Sequence, residues 1–375
     1  MSAAQWRKAM NSGAGRQAFK DGVGQTPTSS TRVAPATNTQ SQSMFRHVSA
    51  RHLVILVALI AYPFFASPFF TFQIGAQSLI LGTIALSLTF LAGYGGIVSL
   101  GQMTVAGLAG YMVSVFGTTA VTNISLAWPW WLAVFMAIFI GTIAAVLIGW
   151  LSIRTEGIYT IMITLAIGVA FFYLTQQNYS MFNGFQGFNG VDAPKFWGIK
   201  WRDPMPFYFV SLSFALGGYF LVKYLVRTPF GIAFQGSRDN SRRMNSLGFN
   251  VTTIRLVAYA VAGFIAASAG VLQVWYNGLI APGVVGLTAL INILVIAVLG
   301  GMRHPIGSFI GALIFVLLQN FAISIVAPER FNLLIGSIFL VIVLFSPDGI
   351  LGWWEQLRSR LASNKSQSRL MDRGK

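Results

Sequence analysis

The chain has 375 residues, of which 55% are hydrophobic and only 9% charged, with a mean hydropathy of +0.67 and a net charge of +16. A soluble protein of this length cannot cover so much apolar surface, so the composition excludes a soluble globular domain and predicts an integral membrane protein. The absence of Cys excludes disulfides and thiolate metal sites, and the three His, at 47, 52 and 304, are too scattered for a metal cluster.

Seven Lys or Arg (Arg7, Lys8, Arg16, Lys20, Arg32, Arg46 and Arg51) precede the first apolar run, among Ser, Thr, Gln, Ala and Gly without apolar periodicity. Residues 1–50 therefore read as a disordered basic tail. A secretory signal is excluded, because its short apolar core lies near the start, whereas apolar sequence here begins at Leu53. From there an all-α transmembrane domain is predicted over 51–352, with a second basic tail over 353–375. Its ten membrane segments fall near 53–72, 75–92, 100–121, 130–153, 158–176, 205–226, 253–277, 284–301, 306–327 and 331–347. Each approaches the roughly 20 residues that cross about 30 Å of hydrocarbon. The second and third are separated only by GYGGIVSL and the eighth is short, so either place suits a broken or re-entrant helix, with eight crossings as the alternative.

Charge placement predicts the orientation. With both termini in the cytosol, 21 of the 25 Lys and Arg, but also six of the nine acids, lie on the cytosolic side, which satisfies the positive-inside rule. The basic charge thus reads first as solvated tails that help fix orientation, with contact to anionic lipid headgroups or a partner as the alternative, and does not point to nucleic acid. Inside the segments only Lys223 and Arg255 are charged, both near cytosolic ends where they can snorkel. No intramembrane group is present to carry a coupled proton. Nor is there a G-x-x-x-x-G-K-[ST] loop, so any ATP-driven transport needs an ATPase on another polypeptide.

Small residues fill the segments. Gly307 and Gly311 form a G-x-x-x-G, and Gly263, Ala267 and Gly270 a second small face, both suited to close helix packing. GYGGIVSLGQ, residues 93–102, clusters glycines with Ser99 and Gln102 between two segments, as an unwound stretch lining a solute passage would. With Thr160, Thr164 and Asn292 these two are the candidate pathway residues, being uncharged polar groups inside segments. Thr160 and Thr164 share one helix face.

Two polar interruptions complete the chain. The external loop, 177–204, interleaves aromatics with Asp192, Lys195, Lys200, Arg202 and Asp203; Asp192, Lys195, Arg202 and Asp203 are candidates for docking an external protein. The cytosolic loop, 227–252, is the longest charged interruption of the apolar sequence. Pro229 cannot continue the preceding helix, and Gly231 and Gly236 are expected to loosen the chain. Asp239 or Asn240 can cap a short helix over Ser241 to Leu247 that Gly248 ends, presenting Met244 and Leu247 as apolar knobs beside Arg242 and Arg243.

TPFGIAFQGSRDNSRRMNSLGFNV at 228–251 resembles the loop that contacts the ATPase in LivM-type inner-membrane subunits of branched-chain amino acid ABC importers. GYGGIVSLGQMTVAGLAGY (93–111), RTEGIYTIMITLA (154–166), FQGFNGV (185–191), VLGGMRHPIGSFIGA (298–312) and LFSPDGILG (344–352) follow the order of that family. Two departures stand out. Arg242, Arg243, Met244 and Asn245 precede Leu247 and Gly248 where the family commonly has Glu and Ala, and Phe182, Asn183 and Gly184 replace a Thr-Gly-Gly element.

The resemblance implies a type II-like importer permease in a bacterial inner membrane. It implies two cytosolic ABC ATPases, a second homologous permease and an external solute-binding protein as partners, and no cofactor in this chain. Arg238, Asp239, Asn240, Arg242, Arg243, Met244, Leu247 and Gly248 would then contact the ATPase. The expected activity is alternating-access import of branched-chain amino acids, without catalysis by this chain. Alternatives are an importer of urea or short amides, a solitary cation-coupled carrier, or a channel; a membrane enzyme lacks a catalytic constellation.

Overall fold

The structure, a computed structural model, describes residues 50–155, 157–196 and 199–322 and six isolated positions from 333 to 352. The tails and the segment expected at 331–347 lie outside the described residues, apart from Ala50 and those isolated positions. The chain divides into two compact units, residues 1–56 and 57–375. Of the first, the described part is the beginning of helix α1, Ala50–Phe65. All further description concerns the second unit.

The first break falls earlier than hydropathy suggests. Instead of running to residue 72, α1 stops at Phe65, and Pro68 opens a new helix whose first turn bonds Thr71 N–H to the Ser67 carbonyl at 3.0 Å. Proline belongs at a helix start, where its missing N–H costs nothing. The span Phe70–Tyr94 then runs in three parts: π-helical Phe70–Ala76, α2 (Gln77–Thr89) and π-helical Phe90–Tyr94. It is the most buried of the long helices. Residues 96–100 are unwound, after which α3 (Gly101–Phe116) turns back.

α4 (Trp130–Ser152), α5 (Ile158–Gln177) and α7 (Pro204–Leu225) follow, with a four-residue α6 (Tyr179–Phe182) in the loop after α5. That loop also carries β1 (Phe188–Asn189), and β2 (Lys195–Phe196) paired with β3 (Ile199–Lys200). α8 (Pro229–Asp239) and α9 (Ser241–Ser246) lead to α10 (Val251–Asn277), whose end turns into β4 (Leu279–Ile280), antiparallel to β1. α11 (Leu287–Gly300) and α12 (Pro305–Ala322) complete the continuously described part of the chain.

Among the described residues, five helices are long and apolar enough to cross a membrane, or six if α11 and α12, bent by 116° at a short break, make one broken or re-entrant span. α1 and α3 have 16 residues each, about 24 Å of helix, which is short of a full crossing. The short eighth segment of the sequence reading is thus half of a bent pair.

α10 is the spine of the bundle, with α2, α3 and α4 around it. Contact there is at backbone distance: a Cβ on Gly270 would lie 2.0 Å from the Ala106 carbonyl oxygen, and one on Gly263 2.2 Å from the Ala145 Cβ. Gly300, Gly307 and Gly311 let α11 and α12 touch in the same way. In lipid, where hydrophobicity cannot drive helices together, such packing is what binds them. Tyr111, fully buried, gathers Phe171, Phe182 and Phe188 edge to face and ties the loop after α5 to the bundle.

Candidate functional site

The charged central loop is two short helices at a right place for their caps. Thr228 caps α8, with Pro229 at its first position, and the Asn240 side chain accepts from the Arg243 N–H at 2.9 Å to start α9. Leu247 ends α9 in a Schellman motif: the Gly248 N–H bonds the Asn245 carbonyl at 3.0 Å and the Phe249 N–H bonds that of Met244 at 3.1 Å. Gly248 has φ +88°, which only glycine adopts without strain. Asn250 then caps α10 through the Thr253 N–H at 3.2 Å.

Two expectations are corrected here. Gly231 and Gly236 do not loosen the chain; both lie inside α8, and their missing side chains admit neighbours. A Cβ on Gly231 would strike the Leu225 carbonyl at 2.2 Å, and one on Gly236 would meet the Met244 sulfur at 2.9 Å. Met244 is accordingly folded against α8 and is not a free knob. The exposed apolar groups of this face are Leu247, Phe249 and Ile232.

α8 is docked on the break between α2 and α3. Phe234, buried, stacks on Phe230 and packs against Phe90 with ring centroids 5.4 Å apart, and a Cβ on Gly95 would fall 2.1 Å from its ring. The Arg238 guanidinium donates to the Gly93 carbonyl, its stem lies over Gly96, and Asp239 stands 3.9 Å from it. Arg255 of α10 donates to the Ser241 hydroxyl at 2.8 Å, joining α9 to the bundle. Arg242, Arg243 and Asp239 are exposed.

Behind this contact lies a buried polar group. The Leu100 N–H, at the start of α3, donates to the Thr164 hydroxyl at 3.1 Å, and Thr164 and Thr160 follow each other on α5. Ser99, Gln102 and Thr104 are buried with polar side-chain oxygens that make no hydrogen bond. The Tyr259 hydroxyl lies beside the Ser99 and Ser152 hydroxyls without a bond of good geometry. Four of the five expected pathway residues, Ser99, Gln102, Thr160 and Thr164, therefore gather where α3 begins. Asn292 stands apart, half-buried on α11.

At the opposite end, Asp192, Arg202 and Asp203 line a cavity of about 640 Å³ with Phe69, Phe72, Gln73 and Trp201. Arg202 also donates to the Asn277 carbonyl at 3.1 Å, a cation at the C-terminus of α10. Lys195 begins β2, and its side chain lies outside the described residues.

Residues 70–344 match the family described as branched-chain amino acid transport system / permease component. The chain belongs to this permease family. It is 24% identical to the high-affinity branched-chain amino acid permease LivM of Salmonella typhimurium, over 80% of this chain and 74% of the relative. Identity and coverage are the same for LivM of Escherichia coli K12. It is 26% identical to the ribose import permease RbsC of Haemophilus influenzae, over 80% of this chain and 92% of the relative. No solved structure matches the chain.

The permease is thus a multi-pass, mostly helical membrane protein, and its relatives are transport components. Its central loop and its glycine-rich break, 145 residues apart at Arg238 and Gly93, form one contact. The sequence reading missed Ile232, Phe249, Ser152, Arg255 and Tyr259 as parts of this region. For Ile232 a signal existed, since Phe230 and Phe234 recur at helical spacing with Ile232 on the opposite face. For Ser152 and Tyr259 none did, because a helix apolar on every side does not announce which face is packed.

Proposed function

We propose that this permease is one of two membrane subunits of an ATP-driven importer and moves branched-chain amino acids by alternating access. The observation that carries the reading is the docking of α8 and α9 on the break at residues 93–100. A helix pair that offers exposed Leu247 and Phe249 outward and grips unwound backbone inward can pass a push from an ATPase into the span beside the polar cluster. Arg242, Arg243, Asp239 and Gly248 surround that outward face, with Asn240 and Met244 setting its shape.

On this reading the chain makes the ten crossings that its apolar segments predict, five of them the long helices, and both termini lie in the cytosol. The cavity at Asp192, Arg202 and Asp203 then faces outward, where a solute-binding protein would dock. Similarity to the LivM proteins supports amino acid cargo. Coverage of 92% of a ribose permease gives a sugar as the second reading.

The test is a pull-down from detergent-solubilised membranes, comparing the intact chain with Leu247→Asp/Phe249→Asp. An ATPase and a second permease should co-purify with the intact chain, and only the ATPase should be lost from the variant. Retention of neither by the intact chain sinks the importer reading. Uptake of labelled ribose but not leucine by vesicles holding the assembled complex would reassign the cargo.

A further inference from the structure

Two cavities meet at the end of the bundle opposite α8 and α9. The first, about 330 Å³, lies beside the start of α4 and is walled by Trp128, Trp130 and Trp275, with Thr118 and Asp192 as its polar side chains. The second, about 200 Å³, runs on between α4 and α7, which both pack on α10. Trp130, Ala193, Pro194 and Trp275 line both cavities, so one molecule can occupy the two together.

The loop before α4 builds the first cavity. The Leu126 N–H bonds the Val115 carbonyl and the Trp128 N–H that of Phe116, both at 2.8 Å, folding this loop back on the end of α3. Phe116 also stacks on the Trp128 ring with centroids 5.0 Å apart, which fixes the indole. The face of an aromatic ring is negative and attracts a cation within about 6 Å, indole most strongly. Of the described residues that line this cavity only Asp192 is charged, and it is exposed. Three indoles and a carboxylate favour an ammonium group and disfavour an anion.

The second cavity is an apolar slot. Val134 and Ile138 of α4, Val210 and Phe214 of α7 and Leu272 of α10 line it. The Ser268 hydroxyl, also in its wall, is already committed to the Ile265 carbonyl at 2.8 Å, so the slot offers water few partners. From Trp130 to Ile138 the helix rises about 12 Å. A volume of about 200 Å³ along that length is far narrower than a helix about 10–12 Å across, but it admits a single acyl chain.

We propose that the two cavities hold one zwitterionic phospholipid, with its ammonium headgroup among the indoles beside Asp192 and one acyl chain in the slot between α4 and α7. The proposal goes beyond the transport reading and does not depend on the cargo. Tryptophans at a membrane boundary commonly form only a belt. Here they wall a cavity that carries a carboxylate and opens into a slot of acyl-chain width. An anionic lipid would bring its headgroup charge to Asp192, and a soluble ammonium would leave the slot unfilled. A lipid seated here joins α4 to α7 at one end of the bundle.

The test is native mass spectrometry of the delipidated full-length permease in detergent, titrated with dioleoyl phosphatidylethanolamine, phosphatidylcholine or phosphatidylglycerol, or with glycerophosphocholine, a headgroup without chains. At least one of the two zwitterionic lipids should give a single saturable adduct per chain. Phosphatidylglycerol and glycerophosphocholine should each bind at least about tenfold more weakly than it does. Asp192→Asn should weaken the zwitterionic lipid about tenfold and leave phosphatidylglycerol unchanged. Val210→Trp, which fills the slot, should remove the adduct, whereas Phe135→Trp, on an exposed face of α4, should keep it. If Val210→Trp does not fold, the headgroup series and Asp192→Asn still decide. No saturable adduct, phosphatidylglycerol binding as tightly as the zwitterionic lipids, or a preference unaltered by Asp192→Asn would overturn the site. Equal loss of lipid from Val210→Trp and Phe135→Trp would reduce it to general contact with the bilayer. Glycerophosphocholine binding as tightly as the whole lipid would make it a site for a soluble ammonium, and the lipid proposal would fall.

Discussion

Asn240 and Gly248 bracket a helix of six residues that could not persist alone, since so short a run cannot repay its own nucleation. Removing the cap by Asn240→Ala should cost about 1 kcal/mol locally. The expected sign is faster amide exchange over residues 241–247 with unchanged protection in α10. Glycines in the spans divide by what surrounds them. Gly270→Ala places a Cβ 2.0 Å from backbone oxygen and should destabilise by about 1–3 kcal/mol or more, seen as a lower Tm of the purified chain. Gly217→Ala meets nothing within 4 Å and should be neutral, or stabilising by up to about 1 kcal/mol as a helix-interior glycine is replaced. Both caps of α9 were legible in sequence because capping is local. The opposite signs of these two glycine replacements were not, because both positions sit in equally apolar helices.

At the scale of elements, α8 joins an exposed surface to the break beside α3. Its buried Phe234 fills the space between Phe90, Phe230 and Gly95, and Phe234→Ala should cost about 3–5 kcal/mol of local packing. In the assembled importer this variant is expected to hydrolyse ATP with little uptake, measured as solute moved per ATP. An unchanged ratio would mean that the push travels by another route. The sequence reading expected a chain that leaves the preceding helix before Pro229, as it does, and is then loosened by Gly231 and Gly236, which usually weaken helices. Tertiary packing reversed the loosening: Pro229 sits at a helix start, where it is favoured, and the two glycines admit the Leu225 carbonyl and Met244.

For the whole molecule the open quantity is sidedness, and a chain without Cys makes it measurable. Ser246→Cys on α9 and Phe185→Cys in the loop after α5, both exposed, lie at opposite ends of the bundle. An impermeant maleimide should label Phe185→Cys in intact spheroplasts and Ser246→Cys only in inverted vesicles; the reverse pattern would place α8 and α9 outside and remove them from any ATPase. Hydropathy alone established a multi-span membrane protein, the approximate bounds of most helices and the two polar loops, because lipid forces each span to be apolar along its own length. Where α1 ends, by how much α11 and α12 bend at the short segment where the sequence already allowed a broken helix, and that Arg238, Arg255, Thr155, Thr160 and Ser152 face one cavity were decided only by the fold. Spans apolar on every side carry no periodicity from which a packed face can be read, so contacts between distant segments emerge only when backbones meet at their glycines.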